Sequence, residues 1–448
     1  MSHATEPPAY VAANRDRLAE LALELLAIDT RNPPGDTQAL IETLERRLAA
    51  AGIDTERFAV DPGKPNLVAT LPGERDRTLC YNGHVDTVPF DAGAWSRDPL
   101  GERVDAGANG AKESDGSAAQ GGSAAQGGSG ASTAETRLYG RGATDMKGPL
   151  ASMVLSAMAF AETGTRPPVT LRLAIVSDEE TGGDAGLGAL LSAGRIDADA
   201  CVIGETTCSG GNHSVTVADR GSIWLTLEAT GESAHGSRPM LGENAIDRLW
   251  AAVEAVRRRL PAREFELDPG IEEVIEESVE YYAPTIGAGA TRELFSRPTV
   301  NLGTIEGGEA VNSVPGSARA RLDVRLTAGV ETQAVLADVR ECVAEHEGVT
   351  IADASWSVGT AEPIDSPLVE TVAGLAGEVT GDRIYRRSAT GGGDAKTLRH
   401  AGIPTVEFAL GTDTAHAVDE YTTLEALAAN AEIYARLPGA FARALDGE

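Results

Sequence analysis

Lysine is nearly missing from this 448-residue chain, which has only Lys64, Lys112, Lys147 and Lys396. Arginine supplies the other cations, and 68 acidic against 38 basic residues leave a formal net charge of −30. A surface of that sign repels nucleic acid and anionic lipid, which argues against either as a partner. The acids are spread along the chain, so they read as a salt-adapted, water-holding surface of a salt-rich cytosol rather than one docking face. Cysteine is also scarce. Cys80, Cys201, Cys208 and Cys342 lack CxxC spacing, which fits reduced thiols in a cytoplasmic protein and argues against a cysteine-built metal site. No run of about twenty apolar residues is present to span a membrane, and Met1 to Tyr10 lacks a basic-then-apolar signal pattern. Finally, Ala106 to Ala134 has no Val, Ile, Leu, Met or aromatic residue and carries SAAQGG twice in tandem. Such a segment cannot offset its ordering entropy, so it is expected to be an exposed, flexible insertion whose deletion spares activity.

The rest of the chain has periodicity. Leu18, Leu21, Leu25 and Ile28 predict a helix over Arg15 to Ile28, stopped by Asn32-Pro33-Pro34-Gly35, and a second helix follows from about Thr37 to Ala51. Short apolar runs at Asn66 to Leu71 and Thr78 to Gly83 read as buried parallel strands. A helix over Gly148 to Glu162 and strands at Val169 to Ser177 and Ala200 to Gly204 continue the alternation. The fold class expected is α/β with a mostly parallel sheet. From about Ser214 the pattern changes: an alternating strand at Ser222 to Thr230, a helix at Asn244 to Leu260, strands near Pro298 to Thr304 and Ser317 to Leu326, a helix from about Glu331 to Glu345, and a strand at Val349 to Val358. This βαββαβ order predicts a small ferredoxin-like domain inserted in the first. The expected division is 1–212, 213–358 and 359–448. In the last part, Thr405 to Leu410 reads as a strand and Thr422-x-x-Glu425 as a capping box that opens the final helix.

In an open α/β sheet, ligands bind beyond the carboxyl ends of the strands. Residues able to ligate metal gather at those ends: His84 and Asp86; Asp178, Glu179 and Glu180; Glu205; and His416. Asp145 lies in a glycine-bearing loop just ahead of a helix. Imidazole and carboxylate donors without thiolate suit zinc, cobalt or manganese in a catalytic site. A carboxylate shared by two divalent ions would allow them to activate one water, and a further carboxylate must carry the proton. Adjacent Glu179 and Glu180 can divide ligand and base between them.

Three stretches carry a family resemblance: Tyr81-Asn82-Gly83-His84-Val85-Asp86, Gly140-Arg141-Gly142-x-x-Asp145-Met146-Lys147-Gly148, and Ser177-Asp178-Glu179-Glu180-Thr181-Gly182. They resemble the zinc deacylase and exopeptidase family of acetylornithine deacetylase, succinyl-diaminopimelate desuccinylase, aminoacylase and glutamate carboxypeptidase. The resemblance implies that Asp145 bridges two ions, His84 and Glu205 completing one shell and Glu180 and His416 the other. It implies Glu179 as general base and Asp86 as the carboxylate that orients His84. Gly231-x-Ser233-Ala234-His235 resembles the family's lid histidine, which stabilises the oxyanion, and implies a homodimer through the inserted domain. Asn312 with Arg325, and the Gly391-Gly392 loop, resemble the groups that hold the substrate.

Taken singly, each residue also has a plainer reading. Asp145 could cap a helix, Glu179 and Glu180 could be a solvated acidic pair, and Arg325 could serve a structural salt bridge. His3, His346 and His400 read as structural or surface residues, and His213 as a hinge residue. The expected activity is hydrolysis of a small N-acyl amino acid, with a carboxypeptidase-like or dipeptidase exopeptidase as the rival. An inactive acyl-amino-acid-binding protein is the remote alternative.

Overall fold

The computed structural model describes residues 6–106 and 135–447. All of the insertion read from sequence except Ala106 lies outside the described residues. The chain forms two compact units: Met1–His213 with Gly374–Arg383 and Glu407–Glu448, and Ser214–Ala373 with Ile384–Val406.

The first unit is a mixed α/β layer. Strand Arg75–His84 lies parallel to Val169–Val176 on one side and to Ala200–Ile203 on the other. All three therefore run the same way and end at the same edge. Their apolar residues are buried on both faces, as a sheet covered by helices requires. Asn66–Leu71 departs from the expectation. It pairs antiparallel with Val169–Val176 and with an edge strand, Asp54–Phe58, that the sequence reading did not place. A fully buried strand has the same apolar run in either direction, so its sequence carries no sign of orientation.

Helix Lys147–Thr163 is buried at every position from Lys147 to Phe160, which suits its place between the sheet and the helices Arg15–Leu26 and Leu424–Asp446. The last helix is capped by Thr423, whose hydroxyl accepts from the Ala426 amide. The capping residue is thus one later than the predicted box placed it, because Thr422 still belongs to strand Tyr421–Thr423. That strand pairs antiparallel with Arg137–Tyr139, which in turn pairs with Glu102–Val104. This small sheet sets the chain after Tyr139 beside the chain before Tyr421, as the bond from the Gly140 amide to the Glu420 carbonyl shows.

In the second unit, four antiparallel strands stand in the order Thr299–Gly307, Ser317–Leu326, Gly221–Thr230, Val349–Ser357. Ile223, Leu225 and Leu227 alternate onto one face and pack with Leu249, Val253 and Val256 of helix Ala245–Arg259 and with Val335 and Val339 of helix Thr332–Ala344. The other face leaves Trp224 57% and Trp356 45% exposed. Helices Pro269–Ile286 and Ala288–Ser296 lie between the first helix and the second strand and were absent from the sequence reading. Instead of ending at 358, this unit runs on to Ala373 and takes in Ile384–Val406. Asp219 accounts for part of that extension: its carboxylate accepts from the Thr360 hydroxyl at 2.5 Å and from Arg399 at 3.1 Å.

Candidate metal centre

The parallel edge of the first unit presents His84, Glu205 and the Glu179-Glu180 pair at the ends of adjacent strands. Each of two ligand-bearing strands reaches its ligand through a glycine for a steric reason. A Cβ at Gly83 or at Gly204 would lie within 3 Å of the Met146 methyl group (2.6 and 2.8 Å). Met146, buried directly after Asp145, thus fills a slot formed by both glycines and draws three chain segments together.

Asp145 stands at the centre. Its Oδ1 is 3.1 Å from His84 Nε2, and its Oδ2 is 3.0 Å from His416 Nε2. His84 Nε2 is also 3.1 Å from Glu205 Oε1, and His416 Nε2 is 3.3 Å from Glu180 Oε2. The five residues therefore fall into two histidine–glutamate pairs, one on each oxygen of a single aspartate. The His84 ring donates from Nδ1 to the Asp86 carbonyl at 3.0 Å, which leaves Nε2 facing the cluster. The Asp86 carboxylate is 3.6 Å from that ring, and it accepts the backbone amides of Glu179 at 3.1 Å and Glu180 at 3.2 Å and the Asn32 amide at 2.8 Å. Its firmest contacts thus hold the glutamate turn.

The electrostatics follow from this crowding. Burial disfavours charge on His84, yet hydrogen bonds with Asp145, Asp86 and Glu205 outweigh it and raise its pKa well above the usual value. Hydrogen bonds with Asp145 and Glu180 lift His416 to about 10. Burial pushes Glu179 up to about 7, with the charges of Glu180, Asp145 and Asp86 acting the same way against His84. Glu205 is raised by burial and then by the charge of Asp145.

This donor set fits divalent metal. Histidine–carboxylate spacings of 3.0 to 3.3 Å match the edge of a tetrahedron with zinc-type bonds of about 2.0–2.1 Å, which is about 3.3 Å. Glu180 Oε1 is buried without a hydrogen-bond partner, a costly state for a carboxylate that a cation would complete. His84, Asp145 and Glu180 by themselves offer ligand atoms within 4.8 Å of one another. Backbone strain gathers here as well. The positive-φ residues other than glycine among the described residues are Asp178 (70°), His416 (61°) and Asp419 (56°), all on the two turns that carry Glu180 and His416.

The remaining predicted site residues lie in the second unit. His235 is exposed, its Nδ1 2.8 Å from the Ser237 hydroxyl, and it forms an isolated bridge with Ser313, beside Asn312. Arg325 is ion-paired through Nε with Asp323 at 2.8 Å. The Gly391 carbonyl accepts the Arg220 amide, and Gly392 lies against the Lys396 side chain. Sequence reasoning gave no role to Asn32, Lys64, Arg141 or Glu420. Asn32 read only as a helix stop, yet it ties Asp86 to Asp178. Arg141 stood inside the quoted Gly140-Arg141-Gly142 stretch and Glu420 four residues after His416, and their opposite charges were the one signal of their pairing.

Residues 80–439 match the family model described as peptidase family M20/M25/M40. The chain belongs to that family. Among its relatives is a succinyl-diaminopimelate desuccinylase of Parvibaculum lavamentivorans, 29% identical with 96% of each chain covered. One of the same name from Cereibacter sphaeroides is 30% identical, covering 89% of this chain and 92% of its own. An M20-family metallo-carboxypeptidase of Sulfolobus solfataricus shares the fold with a TM-score of 0.70 at 18% identity, covering 94% of this chain and 99% of its own. The resemblance drawn from the three motifs therefore holds, and the protein is a metal-dependent hydrolase of amide bonds.

Proposed function

We propose that this M20-family enzyme removes a small acyl group from an N-acyl amino acid, with the succinyl-diaminopimelate desuccinylase type first and the acetylornithine deacetylase type second. The observation that carries the reading is Asp145, whose two oxygens face two separate histidine–glutamate pairs. In this reading His84 and Glu205 hold one divalent ion, Glu180 and His416 hold the other, and Asp145 serves both. Zinc suits the donors, with cobalt or manganese as substitutes. When bound, the two ions supply Lewis acidity to the amide carbonyl and lower the pKa of water toward about 7.

The chain's own residues do the rest. Glu179 receives the proton of the attacking water and passes it to the leaving nitrogen. Asp86 fixes the turn that separates this base from the ligand Glu180, while its carbonyl holds the His84 tautomer. The second unit acts as a lid: His235 donates to the oxyanion, and Asn312, Arg325, Gly391 and Gly392 hold the substrate's carboxylate end. Arg325 exchanges Asp323 for that carboxylate. The −30 charge supports a halophilic, cytoplasmic enzyme, and the lid unit supports a homodimer. A melting temperature that rises with KCl and a dimer mass in solution are the expected outcomes.

The test is a hydrolysis screen over N-succinyl, N-acetyl and N-formyl amino acids and dipeptides, at high salt, with zinc, cobalt and manganese in turn. Release of succinate or acetate supports the proposal. Release of a C-terminal residue from dipeptides, with no deacylation, would move the enzyme to the exopeptidase reading.

A further inference from the structure

Behind the cluster lies an ion pair that the reaction does not use. Glu420 is fully buried and Arg141 is 4% exposed, with Arg141 Nη1 2.7 Å from Glu420 Oε2. The Glu420 carboxylate also accepts the amides of Gly142 at 3.1 Å, Thr144 at 3.0 Å and Asp145 at 3.1 Å. It therefore gathers the whole turn that presents Asp145. From the same pair, Arg141 Nη2 donates to the His416 carbonyl at 3.3 Å. One buried pair thus ties the aspartate loop to the histidine loop across 275 residues of sequence.

Stability alone is a poor reason to keep such a pair, since well-packed apolar residues do as well or better in a core. What an apolar pair cannot do is accept three converging amides and set the separation of two loops. We infer that Glu420 and Arg141 are positioning residues that fix the Asp145 carboxylate relative to His416, and so control occupancy of the ion held by Glu180 and His416. The other pair, His84 with Glu205, is set by adjacent parallel strands and does not depend on them. The device is asymmetric: the first ion's ligands come mostly from the sheet, while the second's depend on two loops joined by this pair.

The inference rests on the two-ion reading of the centre. The experiment is calorimetric titration of chelator-stripped, full-length protein with zinc, repeated with cobalt and its visible absorption, for wild type, Glu420→Gln and Arg141→Lys. Wild type is expected to bind two ions. Arg141→Lys keeps the charge but loses the fork that reaches both Glu420 and His416, and should weaken the second ion 10- to 100-fold while the first stays within about threefold. Glu420→Gln should weaken both, the second more, and change the cobalt spectrum. Near-ultraviolet circular dichroism checks folding, and Arg141→Lys alone decides the matter if Glu420→Gln does not fold. Wild type with two ions and Arg141→Lys with unchanged affinities, or with both weakened equally, overturns the inference. Wild type that binds no second ion overturns the two-ion reading instead.

Discussion

Replacing Asp86 with alanine tests whether its carboxylate holds the glutamate turn. Asp86 is wholly buried, and its carboxylate accepts from the Glu179 amide, the Glu180 amide and the Asn32 side chain at 2.8 to 3.2 Å. Hydrogen bonds to an ionised acceptor contribute about 1.5–3 kcal/mol each, and three donors would be left in a dry pocket. Because the three share one acceptor group they do not add, so the expected loss is about 3–5 kcal/mol of unfolding free energy. Asp86→Asn keeps one acceptor oxygen but turns an NH2 toward a backbone amide, so about half of that loss is expected. The assay is urea unfolding of chelator-stripped protein followed by circular dichroism, with zinc affinity measured in parallel. Affinity should fall about 10- to 100-fold as the Glu179-Glu180 turn relaxes. A loss below about 1 kcal/mol in Asp86→Ala, with zinc binding intact, would refute the reasoning.

Three further outcomes follow from the same geometry. A Cβ at Gly148 would lie 2.0 Å from the Ala143 carbonyl oxygen. Gly148→Ala should therefore cost about 1–3 kcal/mol by overpacking and weaken zinc binding, because Ala143 lies in the Asp145 turn; an unchanged titration curve counts against this. Burial alone would raise the Asp178 carboxyl, but hydrogen bonds from Lys64, Asn32, Thr181 and the Ala185 amide hold it down at about 2. A lowered carboxylate pKa contributes stability above its unfolded value, near 3.8, that is lost as pH falls through 2. Lys64→Met should thus lower stability by about 2–4 kcal/mol at pH 7, the gap narrowing below about pH 4, and a pH-independent difference speaks against the pair. Deleting residues 107–134 should leave kcat and KM within about twofold, since that segment carries no Val, Ile, Leu, Met or aromatic side chain with which to build a site; a large loss of rate would give the segment a role.

Periodicity made the elements legible where burial is one-sided. Ser317–Leu326 stands at the expected residues because its side chains alternate inward and outward. Helix Pro269–Ile286 escaped because Glu272, Glu273, Glu276, Glu277 and Glu280 dominate its composition. Yet Val274, Ile275, Ser278 and Val279 keep the three-and-four spacing, and Asp268-Pro269 gives a cap and a first-turn proline. The direction of Asn66–Leu71 was not legible at all, since a doubly buried strand repeats the same apolar run either way. In the site, the ligand types were readable because glycines and short motifs mark where strands end. Their supports were not. Asn32 reaches Asp86 and Asp178 across 54 and 146 residues, and Glu420 reaches the Asp145 turn across 275. Contacts over such separations exist only once the sheet has brought the loops together.

The central claim divides two neighbouring glutamates, Glu180 as ligand and Glu179 as base. The most direct test is metal content and turnover of Glu179→Ala beside Glu180→Ala, each purified without chelator and assayed on whichever acyl amino acid the wild type hydrolyses. Glu179→Ala is expected to keep two ions per chain and lose about 10²- to 10⁴-fold in kcat, while Glu180→Ala loses an ion. Loss of an ion from Glu179→Ala, or turnover near the wild-type rate, would contradict the account.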